Sequence, residues 1–302
     1  MRIAYLISAH CDPVHLERMV RALNEQADFF IHIDAKADFS AFAHLAKIPE
    51  VHFLKERVHT LWGDITQVYY QRALLRACLD SGIVFDRICT LSGLDYPLVG
   101  NRQLHDFFAA HPDREFIQGI DMSVQRQAVT QNYRIFRPQF FCSCFSDRFN
   151  GRIRILLRKL IYGLGVRKKL TFKIGGRTCP LFKGSDWWGI TPQLGRYLLQ
   201  QLETYPEILR YFSTSFAPSE LLWQSLVFNS PFAEKAMLFA DPYVSLASLT
   251  PLHYIYYEPV IKVLTEEDLP TLMASGKLFC RKTCTGISDT LMDLLDQKRI
   301  EK

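Results

Sequence analysis

The sequence predicts an α/β fold: a parallel sheet flanked by helices, with a basic segment inserted in the middle. Two observations lead there. Short apolar runs alternate with amphipathic stretches through the N-terminal third, the cadence of βαβ units, and ligands of such sheets sit at the carboxyl ends of the strands. The 302 residues, 48% hydrophobic and 22% charged, suffice for a large core and exclude disordered and fibrous classes. No stretch of 18 apolar residues occurs, so a spanning helix is not expected.

Taken in order, Ile3–Ile7 reads as a buried strand. Its apolar run is too short for a signal peptide and no small-residue cleavage site follows. Pro13 starts a helix whose apolar face holds Leu16, Met19, Val20 and Leu23. Phe29–Ile33 is a second strand ending at Asp34, Val51–Leu54 a third, and a helix covers Ile65–Leu79. Arg87–Leu91 is the fourth strand, and Asn101 caps a helix running to Phe108. A helix at Arg152–Tyr162 lies inside the irregular stretch 121–183. Then come a strand at Asp186–Thr191, helices at Pro192–Leu202 and Pro218–Phe228, and strands near Ala236–Phe239 and Tyr254–Tyr257. Thr265 and Asp268 form a capping box for a further helix.

A single domain is expected, one α/β body in three stretches, 1–112, a basic segment over 113–183, and 184–302. The net charge of +5 hides an asymmetry. Between Arg114 and Lys183 there are 15 Lys/Arg against three acids, a local charge of +12, which leaves −7 elsewhere. Such a patch suits nucleic acid, anionic lipid or an anionic substrate, or is simply a solvated surface insertion. Paired bases at Arg158-Lys159 and Arg167-Lys168-Lys169 flank the apolar stretch Leu160–Val166, a pattern suited to a membrane interface. The eight scattered cysteines contain no Cys-x-x-Cys and read as reduced thiols of a cytoplasm-facing protein rather than a zinc site.

Dinucleotide, P-loop, zincin and nucleophile-elbow motifs are all absent. So is an Asp-x-Asp, the usual diphosphate-metal motif of nucleotide-sugar transferases. No metal or other cofactor is therefore expected, and a diphosphate would need side-chain cations, for which Arg281-Lys282 are placed after a short apolar segment. Asp34, just beyond an apolar strand, can accept from a ribose or a base, or can cap a turn. Glu220 falls in the first turn of a helix behind Pro218, where the dipole favours the ionised form a general base needs. Of Trp187 and Trp188 at a strand start, one side chain would face a sugar and the other the core.

The order of these blocks resembles the core-2/I-branching β-1,6-N-acetylglucosaminyltransferases and the related peptide O-xylosyltransferases, glycosyltransferase family 14. The matching blocks are Ala4–His10, Ile31–Asp34, Leu61-Trp62-Gly63, Leu91–Leu98 with its Ser-Gly-x-Asp-x-Pro, Gly184–Trp188, Pro218–Trp223 with its Pro-x-Glu-x-x-Trp, and Leu278–Lys282. The resemblance implies a GT-A-like, Rossmann-type mixed sheet without Asp-x-Asp, a UDP-sugar donor and inversion at the anomeric carbon. It implies Glu220 as catalytic base, Ala9, His10, Asp34, Trp62 and Gly63 around the nucleoside, and Arg281 and Lys282 on the diphosphate. Trp187, Tyr133 and Arg134 are acceptor candidates. Where many relatives carry Arg, this chain has His253. It lacks the anchor helix and disulfides of animal members, which implies a bacterial-type, cytoplasmic relative, peripheral at the inner face of the membrane.

The expected function is transfer of N-acetylglucosamine, or of xylose or another UDP-linked sugar, to a hydroxyl of a glycan or lipid-linked glycan in cell-surface polysaccharide synthesis. The expected partners are that donor, that acceptor and an anionic membrane surface, and not nucleic acid. The competing reading is a basic membrane- or nucleic-acid-binding relative without catalysis.

Overall fold

The computed structural model describes residues 1–140, 142–240, 243, 245–257 and 260–300. In chain order the strands are β1 (Ile3–Ala9), β2 (Ala27–Ile33), β3 (Val51–Phe53), β4 (Arg87–Ser92), β5 (Asp95–Pro97), β6 (Gln118–Asp121), β7 (Thr171–Ile174), β8 (Arg177–Pro180), β9 (Phe182–Gly184), β10 (Gly189–Ile190), β11 (Met237–Leu238), β12 (His253–Ile255) and β13 (Phe279–Arg281). The helices are α1 (Pro13–Leu23), α2 (Thr66–Leu79), α3 (Asn101–Ala109), α4 (Gln127–Thr130), α5 (Asp147–Gly163), α6 (Pro192–Thr204), α7 (Pro206–Phe212), α8 (Ser219–Phe228), α9 (Leu269–Ala274) and α10 (Asp289–Ile300).

The main sheet has the order β10-β4-β1-β2-β3. Its first four strands in the chain run parallel, and β10 adds an antiparallel edge, so the sheet is mixed. Strand alternation explains the unbroken apolar run of β1. Ile3, Tyr5 and Ile7 face a core shared with α1, α3 and α10, whereas Ala4 and Leu6 face one shared with α2, α6 and α8. The predicted apolar stripe of α1 is buried, and each of its large side chains contributes roughly 1.5–3 kcal/mol. Two three-stranded sheets, β11-β6-β9 and β12-β13-β5, carry later segments to the same end of the main sheet.

Several boundaries differ from expectation. Asn101 is the first helical residue, not the cap; Gly100 is the cap, its N–H donating to Gln103 Oε1 at 3.2 Å, and a Cβ there would stand 2.8 Å from the Arg299 carbonyl oxygen. The α5 helix starts at Asp147, five residues earlier than expected, because the Ser146 side chain accepts from Phe149 N–H. Only Gly189 and Ile190 of the expected strand 186–191 join the ladder, since Thr90 Oγ1 satisfies Trp188 N–H at 2.8 Å. Pro218 caps α8 instead of occupying its first turn, and Glu220 remains in that turn. The Thr265–Asp268 capping box is present. Among the described residues no helix is long and apolar enough to cross a membrane, and the eight cysteines are unbridged.

Candidate active site

A cavity of about 940 Å³ opens at the carboxyl ends of β1, β2 and β4. The chain turns there for local reasons. Asp34 N–H donates to the Ala9 carbonyl at 2.9 Å, and the Asp34 carboxylate accepts from Lys36 N–H at 2.9 Å, an Asx turn. Asp34 therefore satisfies the turn-forming reading and also lines the cavity. Arg57 ties down the same turn by donating to the carbonyls of Ile33 and Asp34. Beneath it His32 accepts from Val58 N–H at 2.9 Å, and burial lowers its pKa to about 4, so its ring is neutral.

The Ser92-Gly93-Leu94-Asp95 block has a geometric cause. A Cβ on Gly93 would lie 2.6 Å from the Ala9 Cβ, so only glycine lets β4 and β1 end side by side. Asp95 is fully buried and accepts from Ser92 N–H and Oγ, from Trp187 Nε1 at 3.1 Å and from Arg281 Nη1 at 3.0 Å. Burial alone would raise its pKa, but His253 and the Arg281 charge hold it well below the usual carboxylate range. Position 253 does not reach the cavity: His253 is buried, stacked on Phe279, with Nε2 3.4 Å from Asp95 but misaligned for a strong hydrogen bond.

Glu220 lines the cavity from the first turn of α8, its Oε2 3.0 Å from Lys183 Nζ. Lys183 is 3% exposed. Burial opposes its charge, yet Glu220 prevails and pushes its pKa above the usual range. Among the described residues Glu220 Oε1 receives no hydrogen bond and remains available to a ligand. Asp186 lines the cavity beside Glu220 and accepts from Gln71 Nε2 at 3.1 Å, while Gln71 Oε1 accepts from the buried Trp223 indole at 2.6 Å. Burial first, then the Glu220 charge, raises the Asp186 pKa to about 6.

The structure thus brings Ala9, His10, Asp34, Trp62, Gly63, Tyr133, Trp187, Glu220 and Arg281 to one cavity. Trp62 stands 83% exposed, its ring edge-on to Phe216. Of the two tryptophans, Trp187 lines the cavity and Trp188 is buried, as alternation implied. Lys282 is not in the wall, although its charge reaches His10 and Cys11. Arg134 lines a separate groove of about 450 Å³ with Tyr162 and Arg167, away from the cavity that Tyr133 lines. Lys183, Asp186 and Gln71 were not singled out from sequence. Asp186 lay inside a block already noted, with Lys183 just before it. Among the described residues no group of three His, Cys, Asp or Glu side chains converges as metal ligands.

A cavity at the switch end of an α/β sheet, lined by a carboxylate and a guanidinium, fits a site for an anionic, hydroxyl-rich ligand. The sequence profile of the Core-2/I-Branching enzyme family matches residues 3–244, and the chain belongs to that family, glycosyltransferase family 14. Similar proteins include the xylosyltransferase sqv-6 of Caenorhabditis briggsae, 23% identical over 70% of this chain and 24% of its own length. The mouse beta-1,3-galactosyl-O-glycosyl-glycoprotein beta-1,6-N-acetylglucosaminyltransferase 4 is 22% identical over 99% of this chain and 66% of its own. The chain spans about a quarter of the length of the xylosyltransferases it matches. Among solved structures, S. aureus TarS 1-349 in complex with UDP is similar at a TM-score of 0.36 and 11% identity, covering 90% of this chain and 63% of that one.

Proposed function

We propose that this chain is an inverting glycosyltransferase that moves a sugar, N-acetylglucosamine before xylose, from a UDP-sugar to a hydroxyl of a glycan acceptor. Cell-surface polysaccharide synthesis is the assigned setting. The observation that carries the reading is that the Glu220–Lys183 pair and Arg281 line one cavity. Glu220 Oε1 takes the proton from the acceptor hydroxyl, and that oxygen bonds the anomeric carbon as the bond to the β-phosphate oxygen breaks. UDP leaves with the electron pair. Arg281, with Lys282 behind it, offsets the growing negative charge, so no metal ion is invoked. Asp34, His10, Ala9, Gly63 and Trp62 are assigned to the nucleoside, Trp187 and Tyr133 to the acceptor.

A panel of UDP-sugars, scored for UDP release with and without EDTA, tests this. The expected result is release from UDP-N-acetylglucosamine above the other donors and unchanged by chelator. UDP should also stabilise the fold, by about 2.7 kcal/mol at a hundredfold excess over Kd. No release from any donor and no stabilisation by UDP would overturn the reading; activity lost in EDTA and restored by manganese would overturn its metal-free chemistry.

A further inference from the structure

The basic segment is not a uniformly charged surface. Lys168 and Lys183 point inward: Lys168 is buried, with Nζ donating to the Tyr211 carbonyl and to Thr214 Oγ1. Three of the outward bases, Arg148, Arg152 and Lys159, lie on α5. At 100° per residue Phe149, Leu156 and Leu160 form one row along this helix, and Arg148, Arg152 and Lys159 form the row beside it. The apolar row is open to solvent, Leu156 at 66% and Leu160 at 59% exposure, and the Phe145 ring extends it by packing edge-on against Phe149. Of the whole helix only Asn150 is fully buried. Its single acid, Asp147, lies 3.1 Å from His59, and the three bases make no ion pair among the described residues.

We propose that α5 is a docking surface for an anionic phospholipid bilayer, lying in the interface with its leucine row in the acyl boundary and its basic row on the phosphates. The charge arrangement selects this occupant. A second copy of this chain packed on the leucine row would bring two basic rows together. A nucleic acid would neutralise the bases but leave three large apolar side chains in water. A bilayer satisfies both rows at once. Asp147 joins the helix start to His59, next to the loop that gives Thr60, Trp62 and Gly63 to the cavity, so docking would hold the cavity mouth near the membrane surface. The inference goes beyond the transferase reading and does not depend on it.

Flotation of the whole chain with vesicles tests the surface. At physiological ionic strength it should float with vesicles of phosphatidylcholine containing one-third phosphatidylglycerol, and stay behind with phosphatidylcholine alone. Each exposed base near such a surface is worth roughly fivefold in partitioning, so Arg152→Glu with Lys159→Glu should lower it about 30-fold or more. Leu156→Ser with Leu160→Ser should lower it at least tenfold at unchanged salt. Both double variants should keep the wild-type melting temperature, because all four side chains are exposed or half-exposed. Equal recovery with both vesicle types, flotation undiminished in either variant, or a solution dimer that Leu156→Ser/Leu160→Ser dissociates would overturn the proposal.

Discussion

Lys183 Nζ and Glu220 Oε2 lie 3.0 Å apart and join strand β9 to the first turn of α8 across the cavity wall. The buried ammonium holds one oxygen of the carboxylate, and among the described residues the other oxygen stays open to a ligand.

Removing that cation should therefore free the Glu220 side chain. In Lys183→Met the carboxylate loses the contact that orients it, and turnover should fall by roughly 10–100-fold with UDP affinity unchanged, a part of the 10²–10⁴-fold that general-base assistance is worth. Turnover within threefold of wild type would show that Lys183 does not position Glu220.

Asp186 gives a pH signature in stability. Its folded pKa is raised from 3.8 to about 6, so the fold binds a proton more tightly than the unfolded chain does. Its contribution favours folding at low pH and is lost as pH rises from about 4 to about 6. Asp186→Asn should accordingly gain stability relative to wild type above pH 6 and gain nothing below pH 4. Urea melts at pH 4 and pH 7.5 check this; an equal effect at both would contradict it.

Asp95 anchors the guanidinium that lines the cavity. Asp95→Ala leaves Arg281, the Trp187 indole and Ser92 without their shared acceptor, and breaking a buried pair of this kind costs roughly 3–5 kcal/mol. Chemical denaturation reads that loss. A cost under about 1 kcal/mol would mean that solvent replaces the carboxylate.

The nucleoside and diphosphate assignments separate kinetically. Lys282→Ala removes a positive charge assigned to the departing phosphate; because the residue stands outside the cavity wall, kcat and kcat/KM should fall together by up to about tenfold. Asp34→Asn keeps an oxygen to accept from Lys36 N–H, preserving the turn, and should raise KM for the donor with kcat nearly unchanged. If Lys282→Ala changes KM alone, the residue holds the donor without assisting departure.

How much of this was legible in the sequence follows from the range of the forces involved. β1, β2 and β4 could be read because burial on both faces makes them continuous apolar runs, and α1 because one stripe alone is buried. The Asp186–Trp188 segment misled because a side chain, Thr90 Oγ1, takes the place of a ladder partner. Strands β5, β6 and β9 are short and owe their pairing to distant segments, so local pattern carried little of them, whereas β7 and β8 form a local hairpin across Gly175-Gly176. In the site, Glu220 and Asp34 were marked by a helix first turn and a strand end. Lys183 and Gln71 were not, because each acquires its role from a partner 37 or 115 residues away.

The most direct measurement is turnover of Glu220→Gln beside its UDP affinity. The amide keeps the shape of the side chain but cannot take a proton from an acceptor hydroxyl. Wild-type stabilisation by UDP with turnover lowered roughly 10²–10⁴-fold is the predicted result. Turnover within threefold of wild type would contradict the assignment of Glu220 as the base.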